Sequence, residues 1–151
     1  IERDLPILAI GGGMHTLNLA MGGSLIEDIP DHGLDEESGR NVSGKHRIWI
    51  SPGSKLASVL GSGGQVRVNS RHRNGIREAQ KSRKLVASAY SIEDSIIEGL
   101  ESPNHTWVLA IQCHPERQDE VPRQFYKLFR ELADRSKDYR YPNDNHVQTK
   151  F

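Results

Sequence analysis

Short apolar runs separated by glycine-rich breaks set the plan of this chain. Ile7-Leu8-Ala9-Ile10 is an unbroken apolar run, the pattern of a strand covered on both faces. Met14, Leu17 and Met21 follow at helical spacing, and Gly22-Gly23 ends that helix. From Asp28 to Gly44 the chain is rich in Asp, Glu, Gly and Ser, which predicts an exposed and mobile loop. Arg47 to Ile50 predicts a strand, and Ser51-Pro52-Gly53-Ser54 a turn and cap for a helix through Leu56, Val59 and Leu60. After the break at Gly61-Ser62-Gly63-Gly64, Gln65 to Asn69 alternates as a strand does. Arg71 to Lys84 is basic and reads as a solvated rim. Leu85 to Tyr90 and Ser95 to Leu100 read as a strand pair, and Trp107 to Gln112 as the last buried strand. Phe125, Leu128, Phe129 and Leu132 fall at i, i+3, i+4 and i+7, an amphipathic helix. The polar stretch from Asp138 to Phe151 predicts a disordered tail.

One strand–turn–helix unit, then strands with little helix between them, then a final helix predict an α/β fold. The sheet is expected to be mixed, with helices on its faces, in a single domain over residues 1–137. An open α/β sheet places its active strand centrally. Here that strand starts almost at the first residue, so the expectation is that N-terminal elements of the natural domain lie outside this sequence.

Charge narrows the function classes. Lys and Arg number 20, as do Asp and Glu, which gives no general attraction for nucleic acid or anionic membrane. No apolar run approaches the ~20 residues needed to span a bilayer. The single cysteine, Cys113, excludes an intrachain disulfide and fits a reducing, cytoplasmic setting. CxxC and HExxH motifs are absent and the seven histidines are scattered, so neither a metal nor a cofactor is expected. Gly11-x-Gly13-x-x-Thr16 approaches a dinucleotide fingerprint but lacks its third small residue.

Two segments carry candidate chemistry. Leu5 to His15 reads as a buried strand, a tight turn at Gly11-Gly12-Gly13 and a helix. Val108 to Glu116 reads as a second buried strand ending in His114-Pro115-Glu116. A strand-to-helix turn can lift a nucleophile above a helix N-terminus, whose free N–H groups lower a thiol pKa and hold an oxyanion. A histidine oriented by an acid can take the thiol proton. At the turn's apex, however, stands Gly11, which has no side chain and cannot form an acyl-enzyme. Cys113 precedes His114 on a strand, so the two side chains point to opposite faces and Cys113 reads as a core residue. Ser24 and Ser70 do not occupy a strand-to-helix apex.

These segments, together with Leu17 to Leu25, Pro52 to Leu56 and Val68-Asn69-Ser70, resemble in order and spacing a class I glutamine amidotransferase-like domain. Within that group the chain most resembles the gamma-glutamyl-gamma-aminobutyrate hydrolase type. The resemblance implies a flavodoxin-like sheet and a Cys-His-Glu thiol acyl-transfer mechanism without a cofactor. By position, Gly11 stands where the family has its nucleophilic cysteine. Gly12 would supply an oxyanion N–H, His114 the general base and Glu116 its orienting acid. Ala9 replaces a usual glycine, and His15 stands where glutamine is common near the substrate. Asn69, Ser70 and His72 match a stretch beside the pocket, whereas His32 reads as a surface histidine. The second oxyanion donor would come from upstream of Ile1. Two readings stay open: a gamma-glutamyl amide hydrolase impaired at Gly11, or a non-catalytic relative. The partners expected are a small gamma-glutamyl or glutamine-like ligand, the missing N-terminal segment or a second copy of the chain.

Overall fold

Ile7–Ile10 form strand β1, and the chain turns at Gly11 directly into helix α1, Gly12–Ala20. The computed structural model describes residues 1–34 and 42–139. Beyond α1 come β2 (Gly44–Ile50), α2 (Lys55–Leu60), β3 (Gly64–Ser70), β4 (Val86–Ser91), β5 (Ile97–Glu101) and β6 (Val108–Ile111). A 3-10 turn, Arg123–Tyr126, then leads into α3, Lys127–Asp138. Among the described residues the strands form one sheet in the order β1-β6-β5-β4-β2-β3. β1 runs parallel to β6, with Ile7 opposite Val108 and Ile10 opposite Ile111. The other pairings are antiparallel. The sheet is therefore mixed, as the element order predicts.

Each face of the sheet has its own core. On one, Met14, Leu17 and Met21 from the α1 region pack on Ile97, Leu100, Val108 and Ala110. On the other, Leu56 and Leu60 of α2, Phe125 and Leu128 pack on Ile48, Val68, Leu109 and Ile111. Leu8 and Ile10 lie against this second core while Ala9 belongs to the first, the alternation a pleated strand imposes. Cys113 is 1% exposed within the second core, as expected of a core thiol. Burial pushes that thiol well above its usual range.

Helix α2 is short, and its start is fixed from two sides. Ser54 Oγ accepts from Ala57 N at 3.0 Å, and Glu101 Oε2 accepts from Lys55 N at 2.9 Å. Asn18 ties α1 down in a similar way. Its amide donates to Ser24 O and Gln80 O and its Oδ1 accepts from Ser82 N, which joins the helix to two irregular segments.

Several expectations need correction. β2 starts at Gly44, three residues before the expected strand. The segment from Asp28 is not wholly exposed: Ile29, His32 and Ser43 are buried, with His32 at 3%. His32 is thus not a surface histidine. In the basic stretch Arg77, Arg83 and Lys84 are exposed, but Ile76 and Ser82 are buried. Phe125 lies in the 3-10 turn rather than in the final α-helix. Residues 35–41 of the expected loop and 140–151 of the expected tail lie outside the described residues. Among those described, no helix is long and apolar enough to cross a membrane.

Candidate functional site

The parallel pairing of β1 with β6 brings the two chemical segments together. Gly11 N donates to Ile111 O at 2.9 Å, so the ladder continues through the turn. Gly11 adopts φ 53° and ψ −117°, a backbone conformation that L side chains rarely enter. A Cβ built on Gly11 would lie 2.8 Å from His114 Cε1 and 3.0 Å from His114 Nε2. The side chain missing at this apex would therefore point straight into the imidazole. Gly12 opens α1, so its N–H is one of those a helix leaves without an intrahelical acceptor.

His114 Nδ1 lies 2.7 Å from Glu116 Oε1. That contact places the proton on Nδ1 and leaves Nε2, the nitrogen facing Gly11, as the basic one. Asn69 fixes the backbone of His114 from below. Its Oδ1 accepts from His114 N at 2.8 Å and its Nδ2 donates to His114 O at 3.1 Å. Asn69 is fully buried, so its observed contacts make it a positioning residue. Ser70 is also fully buried and donates to His32 O at 2.7 Å.

Glu120, which the sequence did not single out, completes this support. Its carboxylate accepts from Arg117 Nη2 at 2.7 Å, Ser43 Oγ at 2.6 Å and Asn69 Nδ2 at 3.0 Å. The bond from Arg117, then those from Ser43 and Asn69, hold its carboxyl at about 2 against the opposing effect of burial. A pKa lowered on folding stabilises the protein above the ordinary carboxylate value of 4.5, and this contribution is lost as pH falls towards about 2. Glu120→Gln is expected to flatten the fall of melting temperature with acid over that window. An unchanged slope in thermal melts at stepped pH would show that this carboxylate does not contribute.

His15, His32, His46 and His72 form a second, largely buried group. His15, on α1, has its ring 6.4 Å from that of His72, and its Nε2 is buried without a hydrogen-bond partner. Burial, then the neighbouring His72, hold the His15 imidazole below its usual value. His72 lies 4.7 Å, ring to ring, from His32, which lies 4.6 Å from His46. Glu98, 1% exposed on β5, faces His32, His46 and His72. Among the described residues, His32, His72 and Glu98 could hold a metal ion. No motif spacing announces the group, because its members come from five separate segments.

Comparisons with known proteins bear on the family and the fold. The Peptidase C26 family profile matches residues 1–116. A Mycobacterium tuberculosis protein assigned as a glutamine amidotransferase is 33% identical, over 92% of this chain and 43% of its own. The gamma-glutamyl-gamma-aminobutyrate hydrolase of Escherichia coli K12 is 28% identical, over 77% of this chain and 48% of its own. The chain thus spans about half the length of these curated relatives. Among solved structures, a Thermoplasma acidophilum protein of the GMP synthase type matches 91% of this chain and 60% of its own. The TM-score is 0.69 and the identity 17%. The glutaminase domain of Trypanosoma brucei CTPS, with bound acivicin, matches 92% of this chain and 63% of its own, with TM-score 0.63 and 20% identity. These structures share the mixed sheet with helices on both faces that the flavodoxin-like expectation describes. The chain belongs to the Peptidase C26 family, as a class I glutamine amidotransferase-like domain related to the gamma-glutamyl amidohydrolases.

Proposed function

We propose that the face formed by Gly11, Gly12, His114 and Glu116 is a gamma-glutamyl amide site that recognises its ligand but does not cleave it by thiol chemistry. The observation that carries this reading is the direction of the absent side chain at Gly11, 2.8 Å from the His114 ring. In this reading Gly11 marks the turn, His114 is the base and Glu116 its orienting acid, and the attacking atom is absent. Acyl transfer through a thiol needs that atom, since histidine alone supplies a base but no stable acyl acceptor here. The ligand class comes from the kinship with gamma-glutamyl-gamma-aminobutyrate hydrolases, which by their name cleave a gamma-glutamyl amide. The helix N-terminus at Gly12 favours the carbonyl oxygen of such an amide.

The test combines glutamate release and calorimetry with a panel of gamma-glutamyl amides, on the unmodified chain and on His114→Ala. Heat of binding without glutamate release is the expected result. Release that disappears in His114→Ala would overturn the non-cleaving reading and point to water or another nucleophile activated by the imidazole. Absence of heat across the panel from folded protein would overturn the ligand assignment.

A further inference from the structure

We propose that His32, His72 and Glu98 form a buried binding site for a divalent transition metal of the zinc class, with His46 beside them as a further donor. The inference starts from where the imidazole protons must sit. His32 Nε2 lies 3.0 Å from Asp94 Oδ2, and His72 Nδ1 lies 2.8 Å from Asn74 O. A carboxylate and a backbone carbonyl only accept, so both of those ring nitrogens carry their N–H. In the neutral rings the inward nitrogens, His32 Nδ1 and His72 Nε2, are then bare lone pairs. They face each other at 3.1 Å.

Glu98 brings a third donor to the same point. Its Oε1 lies 3.4 Å from His32 Nδ1 and 3.6 Å from His72 Nε2. The three donor atoms are thus 3.1 to 3.6 Å apart. A tetrahedral zinc ion with bonds of about 2.0–2.1 Å places its ligand atoms about 3.3 Å apart. The triangle matches one face of that tetrahedron. His46 Nε2 lies 3.4 Å from the same Glu98 oxygen, and neither of its ring nitrogens has a hydrogen-bond partner.

A single proton shared by His32 and His72 would satisfy those two nitrogens and leave the carboxylate unsatisfied. Both Glu98 oxygens are buried without a hydrogen-bond partner, since the imidazole contacts are too long or too poorly aligned to count as such. A buried polar group in that condition is costly. A divalent cation among the three donors satisfies all of them at once. The surroundings fit as well. Metal-bound histidines usually donate their outer N–H to a carboxylate or backbone carbonyl, and Asp94 and Asn74 stand in those places. The burial of all three donors describes a closed, structural site rather than one open to substrate. Such an ion would join the segment at His32, the segment after β3 and strand β5.

Cobalt(II) is the probe, because four-coordinate cobalt absorbs strongly in the visible. After chelator treatment, the full 151-residue chain is expected to take up a single Co(II) with those bands, and zinc is expected to displace it. Glu98→Gln should abolish uptake. Asp94→Asn keeps the acceptor of the Ile96 N–H while weakening the outer partner of His32, and should lower affinity about 10- to 100-fold without loss of fold. Folded protein that takes up no cobalt would overturn the proposal in favour of a shared proton. Uptake undiminished in both variants would also overturn it. So would a sulfur-to-cobalt charge-transfer band, which would place the ion on Cys113.

Discussion

Gly11→Cys is expected to turn a chain inert to alkylating agents in its native state into one that reacts at a single thiol. The unmodified protein provides its own baseline, because Cys113 is 1% exposed and its thiol is pushed far above the usual range by burial. Neither access nor ionisation favours reaction there. The new thiol would stand at the N-terminus of α1, where free N–H groups favour a thiolate, and beside His114 Nε2, which can take its proton. Two costs oppose the substitution. A side chain at φ 53° is strained by about 1–3 kcal/mol. The Cβ would also come within 2.8 Å of His114 Cε1, so the ring must shift to admit it. That contact is with the far end of a flexible, partly exposed side chain, and the shift is easily made. The variant should therefore fold with a lower melting temperature. Its alkylation should slow when His114→Ala is added. A Gly11→Cys thiol that reacts no faster than Cys113 in folded protein would count decisively against an elbow at this turn.

Phe125→Ala carries the largest expected loss of stability, about 3–5 kcal/mol. Phe125 is fully buried and is the largest such side chain in the described structure. It fills the core between the sheet and α3, against residues that include Leu109 and Ile111 of β6. Truncation removes the transfer free energy of the ring and leaves a cavity lined by strands that cannot collapse into it. The loss is comparable with the whole stability of many domains. Because β6 also leads to His114, the site should loosen together with the core. Denaturant unfolding that shifts by less than about 1 kcal/mol would show that this core repacks around the gap.

The legible parts of this protein are the local ones. Ile7 to Ile10, the Gly11 turn and Val108 to Glu116 each announce themselves through a short run of neighbours, and the sheet then sets them side by side. The early start of β2 is hidden by His46. It takes an inward position in the strand's alternation, where an apolar residue would have shown the period, because it faces Glu98 instead of the core. The histidine–glutamate group is illegible for a related reason. His32, His46, His72 and Glu98 lie in different segments, and nothing along the chain states that the sheet order β5-β4-β2-β3 will stack them. Asn69 shows what position alone leaves unsaid: its place in the motif suggests a neighbour of the pocket, and the fold adds that its amide also holds the backbone of His114 and the carboxylate of Glu120.

The pairing of β1 with β6 also bears on how the molecule is made. Synthesis proceeds from the N-terminus, so the Gly11 turn emerges about a hundred residues ahead of the strand that holds it. Antiparallel neighbours such as β2 and β3 can meet across a short connection as soon as they appear. The pairing of β1 with β6 must wait until β6 arrives, and closing so long a loop is the slow kind of folding event. The candidate site is therefore assembled late, from a strand and a histidine about a hundred residues apart.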